Sequence, residues 1–156
     1  MVLIFSLLVL IFCTLPTPAA DTGTRPSLEN VFDGCSKIKD KGHRAYLYLL
    51  IMKEAGMLAN SLPYDCDQED HSDFLMRKGG DTDSQLDLKF EFTGKDKKYP
   101  NVYDFLLDAG KIMGIKIKNY PLIESGKMLP KDIGCSFDMG MKKAVCILYL
   151  SYSGRM

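Results

Sequence analysis

The sequence predicts an α+β domain in which helices pack on a small, mostly antiparallel sheet. Three observations support this fold class: a long apolar stretch with helical spacing, a strict alternation of apolar and charged residues, and two strand-like runs joined by a polar loop near the end. In chain order they indicate a buried helix, a loop-rich middle, a second helix and a closing hairpin, which is typical of this class.

The chain begins with a segment typical of a secretory signal peptide. Residues 2–15 form an uncharged apolar run, prolines follow, and Ala19 and Ala20 are small residues suited to cleavage. The run is shorter than the ~20 residues that a membrane span requires. We expect residues 1–20 to be removed, residues 21–34 to form a loosely ordered lead, and residues 35–156 to fold as a single secreted domain with no membrane span. An uncleaved anchor is the alternative, because the segment lacks a basic start.

The first helix is predicted over residues 44–60. Apolar residues recur there at helical spacing and others widen the stripe, so the helix should be buried on more than one side. Helix signals begin near Asp40, and Asn60 with Pro63 is expected to end the helix. The stripe consists of Ala45, Tyr48, Leu49, Met52, Ala55 and Ala59, widened by Leu47, Leu50, Ile51 and Leu58.

The middle of the chain is predicted to contain an exposed loop, a strand and the second helix. Residues 77–85 have the Gly and Asp content of a loop. Residues 86–92 alternate between apolar and charged side chains, which predicts a strand with one solvent-facing side. Asn101 should cap a helix, and residues 114–117 fit either its end or a strand. The buried face of that helix would carry Val102, Phe105, Leu106, Ala109 and Met113.

Residues 133–154 predict a hairpin pinned by a disulfide. Cys135 and Cys146 occupy matching places in the two strand-like runs. In the second run both alternating sets of side chains are apolar or aromatic, so this strand should be covered on both faces. The two sets are Cys146, Leu148, Leu150 and Tyr152, and Val145, Ile147 and Tyr149.

Signal removal would take Cys13 away and leave four cysteines, an even number that favours two disulfides in an oxidising compartment. Four cysteines permit three pairings. The hairpin selects Cys135 with Cys146, which leaves Cys35 with Cys66. A reactive or metal-bound thiolate is the alternative, but the spacing lacks a CxxC pair and a histidine-rich partner segment.

The charge balance argues against nucleic acid as a partner. The chain has 20 basic and 20 acidic residues, all after Ala20, whereas a nucleic-acid site calls for a basic stripe.

Three segments carry a resemblance to a known family. They are IGC followed by VCILY, LPYDC followed by Glu69, and RAYLYLLIMKEAGMLA. Together they resemble the cysteine-rich secretory protein, antigen 5 and pathogenesis-related (CAP) superfamily, and within it the nematode secreted branch that includes Ancylostoma-secreted-protein-related proteins. The resemblance implies a CAP-like α-β-α sandwich in truncated, divergent form, secreted by a parasitic nematode.

The chain departs from this family at the cleft. The place of the first family histidine falls on Ile51 or its neighbours, and that of the second falls on Pro121. The family's Gln and Trp places fall on Glu124 and Lys127, and neither His43 nor His71 takes a family position. The resemblance therefore implies no metal site here, and the strand at residues 86–92 has no family counterpart.

The chain shows no catalytic motif that we can assign. An acidic patch could in principle hold Ca²⁺ or Zn²⁺, but it lacks the glycine turn and distal Glu of an EF-hand, so a solvated helix start or loop is favoured. No GxSxG elbow is present. We expect no enzyme, no metal and no cofactor, although carboxylate-pair hydrolysis stays open. The patch comprises Asp65, Asp67, Glu69, Asp70, His71 and Asp73.

We therefore expect a secreted, non-enzymatic binding protein that acts on a host extracellular protein. Tyr99, Tyr103 and Tyr120, around the loop-rich middle, are the candidate binding residues, because loops carry function more often than core strands do. The alternative is an extracellular carrier of a lipid or sterol in an apolar groove, as the resembled family suggests. The remaining tyrosines that we considered, Tyr46, Tyr48, Tyr149 and Tyr152, are interpreted as core residues.

Overall fold

The fold is an α+β arrangement of helices and one antiparallel sheet, as predicted. The computed structural model describes residues 32, 34–58 and 61–154. These residues contain helices α1 (Lys41–Glu54), α2 (Cys66–Lys78), α3 (Val102–Lys118) and α4 (Pro121–Glu124), and strands β1 (Asp87–Thr93), β2 (Met128–Asp138) and β3 (Lys143–Tyr152). The sheet order is β1-β3-β2. The predicted signal peptide and nearly all of the predicted lead lie outside the described residues.

Helix α1 begins where the sequence indicates and ends earlier than predicted. The Asp40 side chain accepts hydrogen bonds from the backbone N–H groups of Gly42 and His43, at 2.7 and 3.2 Å, which caps the first turn. The helix ends at Glu54 instead of Asn60. Gly56 adopts φ 72°, a left-handed conformation that stops a helix and suits glycine.

Helices α1 and α3 run side by side in the same direction. Asn101 caps α3 by accepting a hydrogen bond from the Asp104 N–H group, and the uncertain residues 114–117 belong to its end. The contact is close at Gly114, where an added Cβ would lie 2.6 Å from the Glu54 Cβ and 2.7 Å from the Ile51 carbonyl oxygen. The predicted face of α3 is buried, apart from the half-buried Val102 at its start.

Strand β3 lies in the centre of the sheet and is covered on both faces, as predicted. On one face Cys146, Leu148 and Leu150 belong to the main core, to which α1 and α3 contribute. On the other face Val145 and Ile147 pack with Leu75 and Met76 of α2. Strand β1 pairs with β3 over its whole length and has the predicted alternation, with Phe90 and Phe92 buried.

Two predictions about these elements were wrong. The middle of the chain is less loop-rich than expected, because α2 begins after its Asp65 cap and continues to Lys78. The predicted loop starts only at Gly79. Tyr152 is 77% exposed and does not belong to the core. It is the last residue of β3, beyond the part of that strand that β1 covers.

Two disulfides hold the fold, and they join the pairs that the hairpin argument selects. Cys35 is bonded to Cys66, which ties the segment before α1 to the first residue of α2. Cys135 is bonded to Cys146, its direct partner across β2 and β3, with the Cα atoms 4.0 Å apart.

Candidate functional site

The three segments that carry the family resemblance meet at one buried junction. Arg44 of α1 donates to the Glu69 carboxylate of α2 from Nε and Nη2, at 2.6 and 3.0 Å. The Tyr64 hydroxyl donates to the same carboxylate at 2.8 Å and accepts from the Cys135 N–H group at 3.1 Å. Residue 64 also bridges to Ile133 of β2. One carboxylate therefore joins both helices to the closing hairpin.

The electrostatics of this junction are those of a sealed ion pair. Arg44 and Glu69 are 1% and 0% exposed. Burial, followed by the charge of Glu69, raises the pKa of Tyr64 well above its ordinary value, so the hydroxyl keeps its proton. Two further donors, the N–H groups of Lys37 and Ile38, satisfy the remaining lone pairs of the carboxylate. No substrate can reach Glu69, and its role is structural.

The glycine of the IGC segment has a packing reason. A Cβ on Gly134 would lie 2.1 Å from the Glu69 backbone nitrogen and 2.6 Å from the Asp65 carbonyl oxygen. The first turn of α2 therefore rests directly on the backbone of β2, and the Ser72 hydroxyl donates to the Gly134 carbonyl at 2.8 Å. The residues that carry the resemblance thus build the scaffold, and an open site has to be sought elsewhere.

In the described part of the chain, the acidic patch does not gather three potential metal ligands in one place. Asp65 caps α2 and accepts from the Gln68 N–H group at 2.9 Å. Glu69 is turned inward to Arg44. Asp73 accepts from Arg77 one turn later and from the Ser136 hydroxyl. The patch is mostly the first turns of a helix.

The structure does not bring the three candidate tyrosines together. Tyr99 and Tyr103 lie near the start of α3, whereas Tyr120 follows its end. Seventeen helical residues span about 25 Å at 1.5 Å per residue. Tyr120 therefore lies about one helix length from Tyr99 and Tyr103, and the role of the three tyrosines in binding stays a prediction.

The surroundings of the three tyrosines also differ. Tyr103 is 48% exposed, and its ring meets those of His43 and Tyr46 edge-on, with centroids 5.0 and 5.3 Å apart. The Tyr99 hydroxyl donates to Asp108 at 3.1 Å, and partial burial, followed by this hydrogen bond, raises the pKa of Tyr99. Tyr120 is half-buried against Phe90, with the ring centroids 6.1 Å apart.

A more extended apolar surface lies at the end of the sheet where β2 begins and β3 ends; we call it the apolar end. Its centre is a groove of about 640 Å³ beside α4. A second hollow of about 370 Å³ shares Lys127 and Ser153 with the groove, and it is lined by Leu129, whose pairing with Ser151 places it on the sheet face opposite Tyr152. The apolar members are Leu122, Met128, Leu129 and Tyr152, and the polar ones are Gln85, Ser125, Gly126, Lys127, Ser153 and Gly154.

Local backbone structure explains the exposure of Tyr152, whereas Met128 at the floor of the groove is a buried core residue. Gly126 has φ 67° and turns the chain from α4 into β2. The Ser153 N–H group donates to the Lys127 carbonyl at 3.1 Å, which extends the pairing of β2 and β3 beyond Tyr152. Strand β1 begins at Asp87, opposite Tyr149, so it does not cover the last residues of β3. Tyr152, at 77% exposure, consequently faces solvent, and Leu129 of the edge strand β2 is 49% exposed.

Sequence reasoning missed this surface because Tyr152 continues an apolar alternation that is otherwise buried. Only the relative lengths of β1 and β3 expose it, and no local pattern encodes them. The family cleft positions fall at scattered places: Ile51 is buried in α1, Pro121 and Glu124 belong to α4, and Lys127 lines the groove.

Comparisons with known proteins add little. No protein-family model and no curated protein matches the chain. A crystal structure of hookworm platelet inhibitor is similar with a TM-score of 0.39 and 14% identity, over 80% of this chain and 78% of that one. A likeness this weak carries no argument about function. Across the described ranges, no helix is both long and apolar enough to cross a membrane.

Proposed function

We propose that the protein is secreted and acts by binding another extracellular protein at the apolar end, without catalysing a reaction. The observation that carries this proposal is the exposure of Tyr152, which lines a groove with Leu122 on a disulfide-linked scaffold. Aromatic anchors beside apolar neighbours often carry most of the energy of a protein interface. Exposed apolar clusters of this kind mark interaction surfaces.

The scaffold supports this mode of action because it holds the surface in one conformation. Tyr152 belongs to β3, which the Cys135–Cys146 disulfide joins to β2. Rigid surfaces lose less entropy on binding than flexible ones, so more of the contact energy appears as affinity. Tyr152 would fill a pocket of the partner, and Gln85 and Lys127 would form part of the polar rim.

We further infer that the chain is a divergent CAP-superfamily protein of the nematode secreted branch, and that its partner is a host extracellular protein. The inference is supported by the packing of the three resembling segments into one junction around Glu69. It is also supported by helices on both faces of the sheet, the layer order of the family's sandwich.

A carrier of a lipid or sterol is the second candidate function. It is favoured by the volume of the groove, since about 640 Å³ falls within the range of small-molecule sites. Such sites bury most of their ligand, however, whereas the largest side chain of this groove projects into solvent. We therefore rank protein binding first.

The experiment that tests the proposal screens the secreted protein against host extracellular domains. It then compares each binder with the variants Tyr152→Ser and Leu129→Ser. We expect the loss of Tyr152 to weaken a true partner about thirtyfold or more, the effect of removing a hot-spot residue worth ~2 kcal/mol. Tyr103→Ser is the matched control, because it removes an exposed tyrosine at the far end of α3. If the Tyr152→Ser and Tyr103→Ser variants bind the partner with equal affinity, the interface does not lie at the apolar end.

The carrier function has a separate readout. The protein is purified from its secreting host, and its native mass is measured before and after organic extraction. A stoichiometric extractable lipid that disappears in a Leu122→Gln variant would favour the carrier. Its absence, together with a Tyr152-dependent protein partner, would favour the binding protein.

A further inference from the structure

A second groove lies at the opposite end of the sheet, where β1 ends and β2 turns into β3; we call it the basic groove. Its volume is about 530 Å³, and its lining residues are Met76, Lys95, Gly140, Met141, Lys142 and Lys143. We propose that the basic groove binds a sulfated polysaccharide, with Lys95, Lys142 and Lys143 contacting the sulfate groups. The site is separate from the apolar end, because the length of β3, about 30 Å at ~3.3 Å per residue, lies between them.

Strand pairing brings the three lysines together. Lys143 is the partner of Thr93 at the last rung of the β1–β3 ladder. Backbone hydrogen bonding continues one residue beyond the two strands, since the Gly94 N–H group donates to the Lys142 carbonyl at 2.9 Å. Lys95 therefore follows directly on the strand opposite Lys142, and residues far apart in sequence form one cluster of positive charge.

Within the described ranges, two of these three charges have no carboxylate partner. Lys143 lies 3.2 Å from Glu91 and is neutralised in part. The Lys142 ammonium donates to a neutral acceptor, the Lys97 carbonyl, at 3.0 Å. Among the described residues, the side chain of Lys95 has neither an ion pair nor a hydrogen bond.

Of the other charges near this groove, Asp96 and Lys98 are exposed and offset each other, and the rest are paired. Asp138 accepts from the Met141 N–H group at 2.9 Å and lies 3.7 Å from Arg77. Lys97 is bonded to Asp108 at 2.6 Å. The unpaired excess at the groove is therefore positive.

The backbone at Lys142 gives an independent indication. Its φ of 48° is in the left-handed region, which no other non-glycine residue adopts in the part of the chain that the structure describes. Glycine or asparagine fits that conformation with less strain. A lysine held in an unfavourable conformation at a turn suggests that its charge is used, since strain of this kind clusters at functional sites.

The chemistry of the lining selects the ligand. Lysine presents a strongly hydrated point charge suited to anionic groups. Among the residues that the structure describes, no aromatic side chain lines the groove, which disfavours single-stranded nucleic acid, because its bases stack on aromatic rings. A membrane surface is flat, whereas this site is concave. A sulfated polysaccharide is a linear polyanion that fits a groove and occurs outside cells, where the protein is proposed to act.

The test measures binding of the secreted, disulfide-bonded protein to immobilised heparin at physiological salt. A cation near an anionic surface contributes about fivefold in affinity, so Lys95→Gln and Lys142→Asn should each weaken binding by about that factor and the double variant by about 25-fold. Lys53→Gln combined with Lys118→Gln is the control. It removes the same charge from the ends of α1 and α3 and should leave affinity within twofold. Asparagine keeps the left-handed turn at position 142, and Lys95→Gln alone tests the site if that variant folds poorly.

Desulfated heparin and phosphatidylserine vesicles separate the possible ligands. The proposal expects desulfated heparin to bind at least tenfold more weakly than heparin, and the vesicles to bind no better than the desulfated chain. The proposal is overturned if heparin does not bind at physiological salt or if the vesicles bind as tightly as heparin. It is also overturned if the Lys95 and Lys142 double variant loses no more heparin affinity than the control double variant at Lys53 and Lys118. Tyr152→Ser should not change heparin binding, so failure here is distinguishable from failure of the proposed apolar interface.

Discussion

The two ends of the sheet are made from the same strands and differ in how those strands stop. At the basic groove the last residue of β1, Thr93, pairs with the first residue of β3, Lys143. The adjoining turn presents lysine side chains. At the apolar end β3 runs past the start of β1, and this leaves Tyr152 without a neighbour on that side. Helices cover both faces of the sheet between them, so the binding surfaces that we propose arise where the ladder stops.

The largest effect is expected at the junction that both ends share. Glu69→Gln keeps the shape of the side chain but leaves the buried Arg44 charge uncompensated, which should lower the free energy of unfolding by about 3–5 kcal/mol. Urea denaturation measures this loss. Both ends should lose binding together when the variant unfolds.

The control is an exposed pair on the same helix. Arg77 lies 3.0 Å from Asp73 at the surface, and Arg77→Ala should cost less than about 1 kcal/mol. If the two substitutions cost the same, the junction at Glu69 does not hold the two ends in one fold.

The next effect is expected at Gly134. Gly134→Ala places a methyl group against the backbone of α2, which cannot yield as a flexible side chain would, so we expect a loss of about 2 kcal/mol or more. Thermal unfolding of this variant is compared with that of Gly154→Ala, where an added Cβ meets nothing within 4 Å. A Gly134→Ala variant as stable as wild type would mean that α2 does not rest on β2.

The smallest effects are changes in how the free energy of unfolding depends on pH, and they have opposite signs at two aspartates. Burial, then the charges of Asp65 and Asp87, raises the pKa of Asp132 on β2. A raised folded-state pKa gives stability that is present in acid and is lost as the pH rises through that pKa. Asp132→Asn should therefore stabilise the protein at neutral pH and flatten its stability profile above about pH 4.

Asp108, near the basic groove, should behave in the opposite way. The hydrogen bond from Lys97 lowers the pKa of Asp108, so its contribution is present at neutral pH and is lost as the pH falls through the lowered pKa. Asp108→Asn should destabilise the protein slightly at pH 7 and have no effect in strong acid. Unfolding curves between pH 3 and 7 measure both variants, and equal signs at neutral pH would contradict the assignment.

Elements whose periodicity comes from burial alone could be predicted from the sequence. Three predictions of this kind were confirmed: the alternation at residues 86–92, the apolar face of α3 and the burial of both faces of β3. In each case buried positions recur at the regular period of the strand or helix. The matching places of Cys135 and Cys146 likewise pointed to the hairpin and its disulfide. Asp40 and Asn101 marked helix starts through their capping side chains.

Helix α2 and the two surfaces at the ends of the sheet depend instead on contacts between distant parts of the chain. The inward face of α2 includes Glu69 and Ser72, polar residues that become buried because Arg44 and the Gly134 carbonyl supply their partners from distant parts of the chain. The tyrosines at 99, 103 and 120 were grouped by sequence, yet α3 holds them apart. The exposure of Tyr152 and the clustering of Lys95 with Lys142 depend on where neighbouring strands stop, a relation between distant segments that no local pattern contains.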